Sequence, residues 1–504
     1  MSTTVTMSKT VPMSKTVPMS KTVPMSTAKT APVHSDLSIA LTKSLDKKEK
    51  QAFGIFITPQ TIIKKLIDAV VECADKNNLT IKTILEPACG TCEIVSYCDS
   101  YFQSNIRIDA IELNSKVFAA IQPLKSTFKN PVTLIHQDFL SYGDGVAPPN
   151  DNKIVAAKAS GKRPPRASAQ MPCGGATPLS CGGATPLPCG GATPCYDLTI
   201  SNPPYFVCKK EIVPKKYISY ISGRPNIFGL FILHQLSLTR AGGIAAFIIP
   251  KSFMNSLYYA KIRTHIIETC TIVNIIDFAE NNDFMDTQQA TFGLILLKNG
   301  DTPSVPFENK FVMRLPCGGT PLVFFTCDAA ALTKLFEGST TLAKLGLKVR
   351  TGNIAWNEYK DEMTVEAVNT VYAVNNTVLI YDTNITKDHQ IKLTTFANTE
   401  KSQYIKREGR QETVVVVKRG HGNSKYKLNY ALIDLPATSP YLVENHLNEI
   451  YSSDTKMTKP KLLALFHKIM KSFENKKTQE FIDLFIGNNG LSKTELETIL
   501  PIYL

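Results

Sequence analysis

The sequence lacks any long hydrophobic run, and this absence excludes one class of protein. No stretch of about 18 or more apolar residues occurs, so no membrane-spanning helix is predicted. The N-terminus also lacks the apolar core of a secretory signal peptide. The 12 cysteines are scattered, unlike the framework of a disulfide-rich secreted protein. Together these absences indicate a protein that works in a reducing, intracellular compartment and does not bind a membrane.

Acidic residues are fewer than basic ones. The 504 residues include 43 Asp and Glu against 56 Lys and Arg, which gives a formal net charge of +13. This excess favours a polyanionic partner such as nucleic acid, although it says nothing about the fold. The hydrophobic share of 43% is that of a globular protein, and the length suits about two or three domains.

Two segments are simple repeats that cannot build a core. Residues 7–24 are three copies of MSKTVP, and residues 1–47 as a whole are predicted to be disordered. A second repeat, CGGATPL, fills most of a region, 145–194, that we interpret as a flexible insertion between two strands. Zinc sites normally have closely paired ligands, so we favour an insertion over a metal centre and predict no metal. The repeated cysteines are spaced eight residues apart: Cys173, Cys181 and Cys189.

Between the repeats, helical and strand patterns alternate. Thr58 is predicted to be the N-cap of a helix and Pro59 its first residue. Another helix is predicted over 228–238. Strands are predicted over 83–85, 106–111, 132–136, 197–200, 244–249, 272–277 and 291–297. This alternation is typical of a Rossmann-like, doubly wound α/β fold with a seven-stranded, mainly parallel sheet, which we assign to residues 48–330. Ligands of such sheets bind at the carboxyl ends of the strands.

The pattern and composition of the sequence change after about residue 335. Short β-rich runs, such as 378–381 and 414–417, mix with basic loops. The chain then ends in predicted helices over 458–486 and 492–499, the last of them opened by a capping box of Ser492 and Glu495. Residues 335–504 are therefore predicted to form a second domain of the α+β class.

Three motifs follow the first three predicted strands. The turn Glu86-Pro87-Ala88-Cys89-Gly90-Thr91-Cys92 is built of small residues, which let backbone amides approach a ligand. Glu112 ends the second strand, where a carboxylate can accept both hydroxyls of a ribose. After the third strand, Asp138 can accept from an adenine amino group while Phe139 packs on the adenine face. Each motif alone is ordinary, but their succession predicts an adenosine-containing cofactor.

The segment Asn202-Pro203-Pro204-Tyr205 follows the fourth predicted strand. The Asn202 oxygen and the Pro203 carbonyl can accept the two hydrogens of an exocyclic amine, and the Tyr205 ring can stack on a planar base. The prolines fix φ, so the carbonyl is aimed before a substrate arrives. A strand-ending turn with a surface tyrosine is the alternative. The motifs that precede this segment favour an amino-methyltransferase.

In these motifs, the chain resembles the γ-type S-adenosylmethionine-dependent N6-adenine DNA methyltransferases of restriction-modification systems. The resemblance rests on Thr58-Pro59, EPACGTC, IELN, QDF, NPPY and the segment GGIAAFIIPKSFMNS at 242–256. It implies S-adenosylmethionine as the cofactor. The cofactor-binding residues would then be Thr58, Glu86, Pro87, Ala88, Cys89, Glu112, Asp138, Phe139 and Pro204. Cys92 departs from the family, which usually has a second glycine there, and its thiol is expected to narrow the methionine pocket.

The resemblance also implies a reaction and partners. An adenine would be flipped out of double-stranded DNA and held by Asn202, Pro203 and Tyr205, with Phe284 as a second aromatic clamp. A loop phenylalanine packed on the last hairpin is the alternative for Phe284. The expected enzyme is a monomer found wherever host or viral DNA resides, and any partner restriction endonuclease is a separate chain. The C-terminal domain would be the target-recognition domain.

Basic and polar residues of the C-terminal part are expected to contact DNA. Most should touch phosphates, while Arg and Asn side chains are the best suited to read base edges. A solvated loop is the alternative for each of them. The candidates are Gly352, Asn353, Lys406, Arg407, Arg410, Lys418, Arg419, His421, Asn423 and Lys425.

Three other functions compete with DNA methylation. A methyltransferase acting on a protein glutamine amide, or on RNA, would use the same NPPY chemistry, but the protein enzymes lack a large basic C-terminal domain. A catalytically silent DNA-binding module would not need Asn202, Tyr205, Glu112 and Asp138 intact. A fused restriction enzyme would need a nuclease cluster, and residues 1–47 are too short and simple to contain one.

Overall fold

The computed structural model describes most of the chain outside the repeats. The described residues are 35–44, 58–102, 105–143, 196–278, 290–299, 310–315, 321–364, 376–398, 400–420, 426–436, 439–485 and 490–504. The repeat cysteines Cys173, Cys181 and Cys189 lie outside these residues, as does Phe284.

A seven-stranded sheet organises the first part of the chain. Its strands are β1 (Thr83–Glu86), β2 (Arg107–Glu112), β3 (Val132–His136), β4 (Tyr196–Ser201), β5 (Thr239–Pro250), β6 (Cys270–Asp277) and β7 (Thr291–Lys298). They lie in the order β3-β2-β1-β4-β5-β7-β6, and β7 runs antiparallel to both of its neighbours. This confirms the predicted Rossmann-like, mainly parallel α/β fold. The central strands β4 and β5 are almost wholly buried because helices cover both faces of the sheet.

Helices pack on both faces of this sheet and create two apolar cores. They are α1 (Asp36–Ser44), α2 (Gln60–Lys76), α3 (Glu93–Tyr101), α4 (Ser115–Ile121), α5 (Ile227–Leu238), α6 (Ser252–Asn255) and α7 (Ala260–Thr269). Helix α2 buries one stripe, which includes the predicted Ile62, Ile63, Leu66, Ile67 and Val70. Helix α5 is buried nearly all round. No helix of the described segments is long and apolar enough to cross a membrane.

Two local predictions about the N-terminal region were wrong. The N-cap of α2 is Pro59, and Thr58 does not cap the helix, because the Thr58 hydroxyl accepts a hydrogen bond from Asn202 instead. Residues 36–44, predicted to be disordered with the rest of 1–47, form helix α1. This short segment is helical because it docks: Ser35 and Ser38 hydrogen bond to Glu93, and Leu37 packs on the core.

The C-terminal part is α+β, as predicted. A hairpin, β8 (Val312–Leu315) and β9 (Leu322–Phe325), precedes α8 (Ala329–Phe336). One four-stranded sheet has the order β10-β17-β14-β15, from Leu347–Thr351, Leu447–Ser452, Val414–Lys418 and Tyr430–Ile433. The other has the order β11-β13-β12-β16, from Met363–Thr364, Tyr404–Lys406, Asn376–Ile380 and Tyr441–Val443.

Three helices end the chain. The stretch predicted as helical over 458–486 is divided into α9 (Lys459–Phe473) and α10 (Lys476–Phe485). The last helix, α11 (Lys493–Thr498), begins at the predicted capping box, in which Ser492 and Glu495 bond each other's backbone amides.

Candidate active site

Four motifs meet along one edge of the large sheet. Strands β3, β2, β1 and β4 are adjacent and parallel, so the residues that follow them share the carboxyl edge. These residues are the turn 87–92 after β1, Glu112 at the end of β2, Asp138 after β3 and Asn202 after β4. The structure therefore brings the predicted site residues of all four strands to the same edge.

The turn after β1 is held by backbone bonds to the neighbouring strand. The Cys89 amide donates to the Ile111 carbonyl at 2.9 Å, and the Gly90 amide donates to Glu112 Oε2 at 3.0 Å. Gly90 has φ of +50° and a Cβ there would meet nothing within 4 Å, so the turn presents open backbone. Such backbone suits the close approach of a ligand.

Cys92 ends this turn with φ of +63°, in the left-handed region that favours glycine. This explains why glycine is the usual residue there. The Cys92 side chain is fully buried in the apolar core, beside that of Cys89. The structure thus gives no support to the expectation that the Cys92 thiol narrows a ligand pocket.

Glu86 offers an unsatisfied acceptor at this edge. Its Oε1 accepts from the Ala88 amide at 3.2 Å, whereas Oε2 is buried and has no hydrogen-bond partner among the described residues. Burial raises the pKa of the Glu86 carboxyl well above its ordinary value. A buried, unpartnered carboxylate oxygen is costly, and a ligand that donates hydrogen bonds would remove that cost.

Glu112 ties the turn to the next helix. Besides the Gly90 amide, the Asn114 amide donates to Glu112 Oε1 at 2.7 Å, and Asn114 in turn caps α4. Burial raises the pKa of Glu112. Each carboxylate oxygen has a second lone pair, so both can still accept a hydroxyl.

Asp138 and Phe139 are neighbours in the sequence but lie in different surroundings. Asp138 caps a short helical turn by accepting from the Leu140 amide at 3.0 Å, and burial raises its pKa. The Phe139 ring lies in the core, 4.9 Å from Phe231 and 4.7 Å from His234 between ring centroids. The structure thus places Asp138 at the edge but packs Phe139 against protein rather than on an open face.

The Asn202 amide is fixed from both ends. Its Nδ2 donates to Thr58 Oγ1 at 2.9 Å, and the Tyr205 hydroxyl donates to its Oδ1. The Tyr205 hydroxyl also lies 2.7 Å from the Ile248 carbonyl at the end of β5, and burial raises the Tyr205 pKa well above its ordinary value. The Tyr205 ring meets Phe228 edge-on, with centroids 6.1 Å apart. With Nδ2 bonded to Thr58, the oxygen of the amide, not its nitrogen, faces Tyr205.

The chain is similar in sequence to methyltransferases of restriction-modification systems. A family model described as Eco57I restriction-modification methylase matches residues 151–284. Type II methyltransferase M.CvrRI of Paramecium bursaria Chlorella virus XZ-6E is 24% identical over 472 residues, 93% of this chain and 98% of that protein. Modification methylase CviBIII of Paramecium bursaria Chlorella virus NC1A is 22% identical over 477 residues, 93% of this chain and 99% of that protein. The chain is thus similar over almost its whole length to methyltransferases of restriction-modification systems.

The match to a methylase family agrees with S-adenosylmethionine as the cofactor, as the resemblance implied. The acceptors at Glu86 and Glu112 suit a ligand that carries an ammonium group and ribose hydroxyls. Among solved structures, a DrdV–DNA complex covers 90% of this chain and 57% of its own chain, with 12% identity and a TM-score of 0.47. Within the described part of the chain, no group of three or more His, Cys, Asp and Glu could hold a metal ion.

Sequence reasoning missed two contributors to this region, the Ile248 carbonyl and Glu93. The Ile248 carbonyl gave no signal, because every residue has a carbonyl. Glu93, the first residue of α3, binds Ser35 and Ser38 of the N-terminal segment. An acidic residue in the first helical turn could have identified Glu93 as anchored, but its partners in a segment predicted to be disordered could not have been found.

Several predicted DNA-contacting residues of the C-terminal part are ion-paired within the protein. Arg407 pairs with Glu362, Lys418 with Asp382, and Arg410 with the fully buried Glu449. Asn353 is exposed and its Oδ1 accepts from Arg410 at 3.2 Å. His421, Asn423 and Lys425 lie outside the described residues.

Proposed function

We propose that this protein transfers the methyl group of S-adenosylmethionine to N6 of an adenine flipped out of double-stranded DNA. The observation that carries the proposal is the Asn202 amide, whose nitrogen bonds to Thr58 and whose oxygen faces Tyr205 near the end of β5. An exocyclic amine needs such an oriented acceptor beside an aromatic ring.

Residues along the carboxyl edge would hold the cofactor. Glu86 supplies its unpartnered Oε2, Glu112 both carboxylate oxygens, and Asp138 the oxygen that does not serve as a cap. When bound, the cofactor supplies a sulfonium-activated methyl group. Phe139, which the sequence predicted to pack on the adenine, is left out because its ring is buried in the core. The proposed cofactor residues are Thr58, Glu86, Pro87, Ala88, Cys89, Glu112, Asp138 and Pro204.

Asn202 and Pro203 would activate the target amine. An adenine amine is a weak nucleophile because its lone pair is delocalised into the ring. Hydrogen bonds to Asn202 Oδ1 and the Pro203 carbonyl localise that lone pair, and the same oxygens stabilise the positive charge that develops on nitrogen. The methylated ammonium then loses its proton readily, so no strong general base is needed.

Tyr205 would have two successive roles. Its hydroxyl bonds to Asn202 Oδ1 in this structure, so the arriving amine replaces the hydroxyl at that oxygen. The Tyr205 ring then stacks on the flipped base, and Phe284 is proposed as the clamp on the other face.

The proposed function also implies a domain organisation, an oligomeric state, a location and partners. Residues 48–330 would be the catalytic domain, with 145–194 as an insertion, and residues 335–504 would recognise the DNA target. The enzyme would act as a monomer inside the cell, wherever host or viral DNA resides. A partner restriction endonuclease would be a separate chain.

Transfer of radiolabelled methyl to unmethylated duplex DNA, with the product nucleosides resolved, tests this function. We expect label in N6-methyladenine, and at least about a 100-fold lower turnover in Asn202→Ala with cofactor binding retained. Asn105→Gly, at an exposed position before β2 on the opposite edge of the sheet, is the matched control and should retain full activity. Label in N4-methylcytosine would overturn the choice of base. Label only in RNA or in protein glutamine would overturn the choice of substrate.

A further inference from the structure

A compact loop begins immediately after residues 202–205, which carry the proposed catalytic groups. The Ile227 amide donates to the Phe206 carbonyl at 3.0 Å, and the Cys208 amide donates to the Pro225 carbonyl at 2.9 Å. These bonds close residues 207–226 into a loop whose base lies one residue beyond Tyr205. Compact surface loops with joined ends are frequently functional. We refer to residues 207–224 together with Tyr258 as the 207–224 surface.

The inner side of this loop is packed, so its outer side is held in place. Val213 and Tyr217 are buried in the core, and the Tyr217 hydroxyl bonds to His234 at 2.8 Å. Lys261 Nζ donates to the Ser219 carbonyl at 2.9 Å. Gly223, with φ of +75°, lets the Tyr258 ring lie against the loop, because a Cβ there would come within 2.5 Å of that ring.

The outer side exposes large apolar side chains. Val207 is 60% exposed, Ile218 and Tyr258 are 56% exposed, and Ile212 is 44% exposed. These four are half of the eight large hydrophobic residues exposed in the described part of the chain. Clustered exposure of this kind marks a binding surface rather than the scattered apolar residues of an ordinary surface.

The same surface is strongly basic. One acidic residue, Glu211, stands among five basic ones, and the lysines occupy exposed positions. Lysine is depleted at protein–protein interfaces, whereas it is the expected residue opposite a row of phosphates. The basic residues are Lys209, Lys210, Lys215, Lys216 and Arg224.

We propose that the 207–224 surface binds the DNA duplex beside the flipped adenine and helps to open it. The lysines lie along phosphates, and Ile212 or Ile218 presses on the base step from which the adenine leaves. Apolar side chains that enter a base step partly unstack it, and this lowers the remaining cost of flipping. The inference rests on the proposed function, since it requires a target base to be taken from a duplex.

The apolar half of the proposal is tested with the double variant Ile212→Ser, Ile218→Ser in the full-length protein. Its substrates are a matched duplex with the mapped target site and the same duplex with a mismatch at the target adenine. We expect kcat/KM on the matched duplex to fall about tenfold or more, and the loss to shrink to about twofold on the mismatch, which is already easy to flip. Fluorescence of 2-aminopurine at the target position should fall in parallel on the matched duplex. Equal losses on both duplexes, or no loss, would overturn the proposal.

The basic half is tested with Lys209→Gln, Lys210→Gln. The slope of log Kd for duplex DNA against log salt concentration should decrease by up to about 2, close to one for each phosphate contact removed. A matched control is Lys82→Gln, Lys129→Gln, because these exposed lysines precede β1 and β3 at the opposite edge of the sheet. Tyr101→Ser, at a 41% exposed position at the end of α3 near that same edge, is the control for the apolar variant. All controls should behave as the wild type.

The outcomes distinguish a failure of this inference from a failure of the proposed function on which it rests. If the wild type methylates no DNA, the proposed function fails. If the wild type methylates DNA and the loop variants match their controls, only this inference fails. Loop-dependent binding to vesicles containing phosphatidylserine, with DNA methylation unchanged, would likewise overturn it.

Discussion

At the scale of single residues, the Asn202 amide presents its oxygen, not its nitrogen, to Tyr205. A reversed amide would present two donors to an amine that also donates. In the structure, Asn202 Nδ2 instead donates to Thr58 Oγ1. The two residues are 144 positions apart, so no local pattern in the sequence could have paired them.

Substitutions of Tyr205 should separate its ring from its hydroxyl. Tyr205→Ala removes the stacking surface, which is worth about 1–3 kcal/mol per base, and should lower turnover by roughly 5- to 150-fold. Tyr205→Phe keeps the ring and loses the hydroxyl with its bonds to Asn202 and Ile248, worth about 0.5–1.5 kcal/mol each, so its loss should be smaller. Single-turnover methyl transfer measures both. Equal losses in the two variants would mean that the hydroxyl, and not stacking, is what catalysis requires.

At the scale of elements, the sequence predicted the strands of the large sheet well. The run 132–136 matches β3 residue for residue, and β5 differs chiefly in starting five residues earlier, at Thr239. Strands buried on both faces carry continuous apolar runs, which short-range patterns identify. The errors, at α1 and Thr58, both concern residues whose conformation depends on a distant partner.

Helix α1 should stabilise the cofactor turn. Ser38 is fully buried, and its hydroxyl lies 2.7 Å from Thr91 Oγ1 and also donates to Glu93. Because Thr91 belongs to the turn after β1, Ser38→Ala should loosen that turn and raise the Kd for S-adenosylmethionine by about 5- to 10-fold, the equivalent of one hydrogen bond. Calorimetric titration measures the Kd.

The control for this element-scale prediction is Ser100→Ala. Ser100 lies on α3, is exposed, and bonds only to the Ser96 carbonyl of its own helix. Its cofactor affinity should equal that of the wild type. If Ser38→Ala also binds the cofactor as the wild type does, α1 does not stabilise the turn after β1.

At the scale of the whole molecule, one buried guanidinium joins the catalytic sheet to the C-terminal part. Arg263 on α7 donates to the Phe253 and Ser256 carbonyls after β5, and to the Val323 carbonyl of the hairpin β8–β9. Its guanidinium also lies 5.5 Å from the Phe324 ring centre, and Phe324 packs on Phe485 of α10. Burial lowers the pKa of Arg263 to about 9, which still leaves the guanidinium charged at neutral pH.

Arg263→Met should therefore uncouple the two parts of the chain. Three carbonyls would lose a donor, each at a cost of about 1–3 kcal/mol, so the free energy of unfolding should fall by at least about 3 kcal/mol. Because the bond to Val323 and the contact with the Phe324 ring join α7 to the hairpin, urea unfolding should divide into two transitions, one for each part of the chain. Arg107→Met, which replaces an exposed arginine paired only with Asp109, should change the free energy by less than about 1 kcal/mol and leave the transition unchanged. A single transition at the wild-type midpoint in Arg263→Met would show that apolar packing around Phe324 alone holds the parts together, since that packing is what the variant retains.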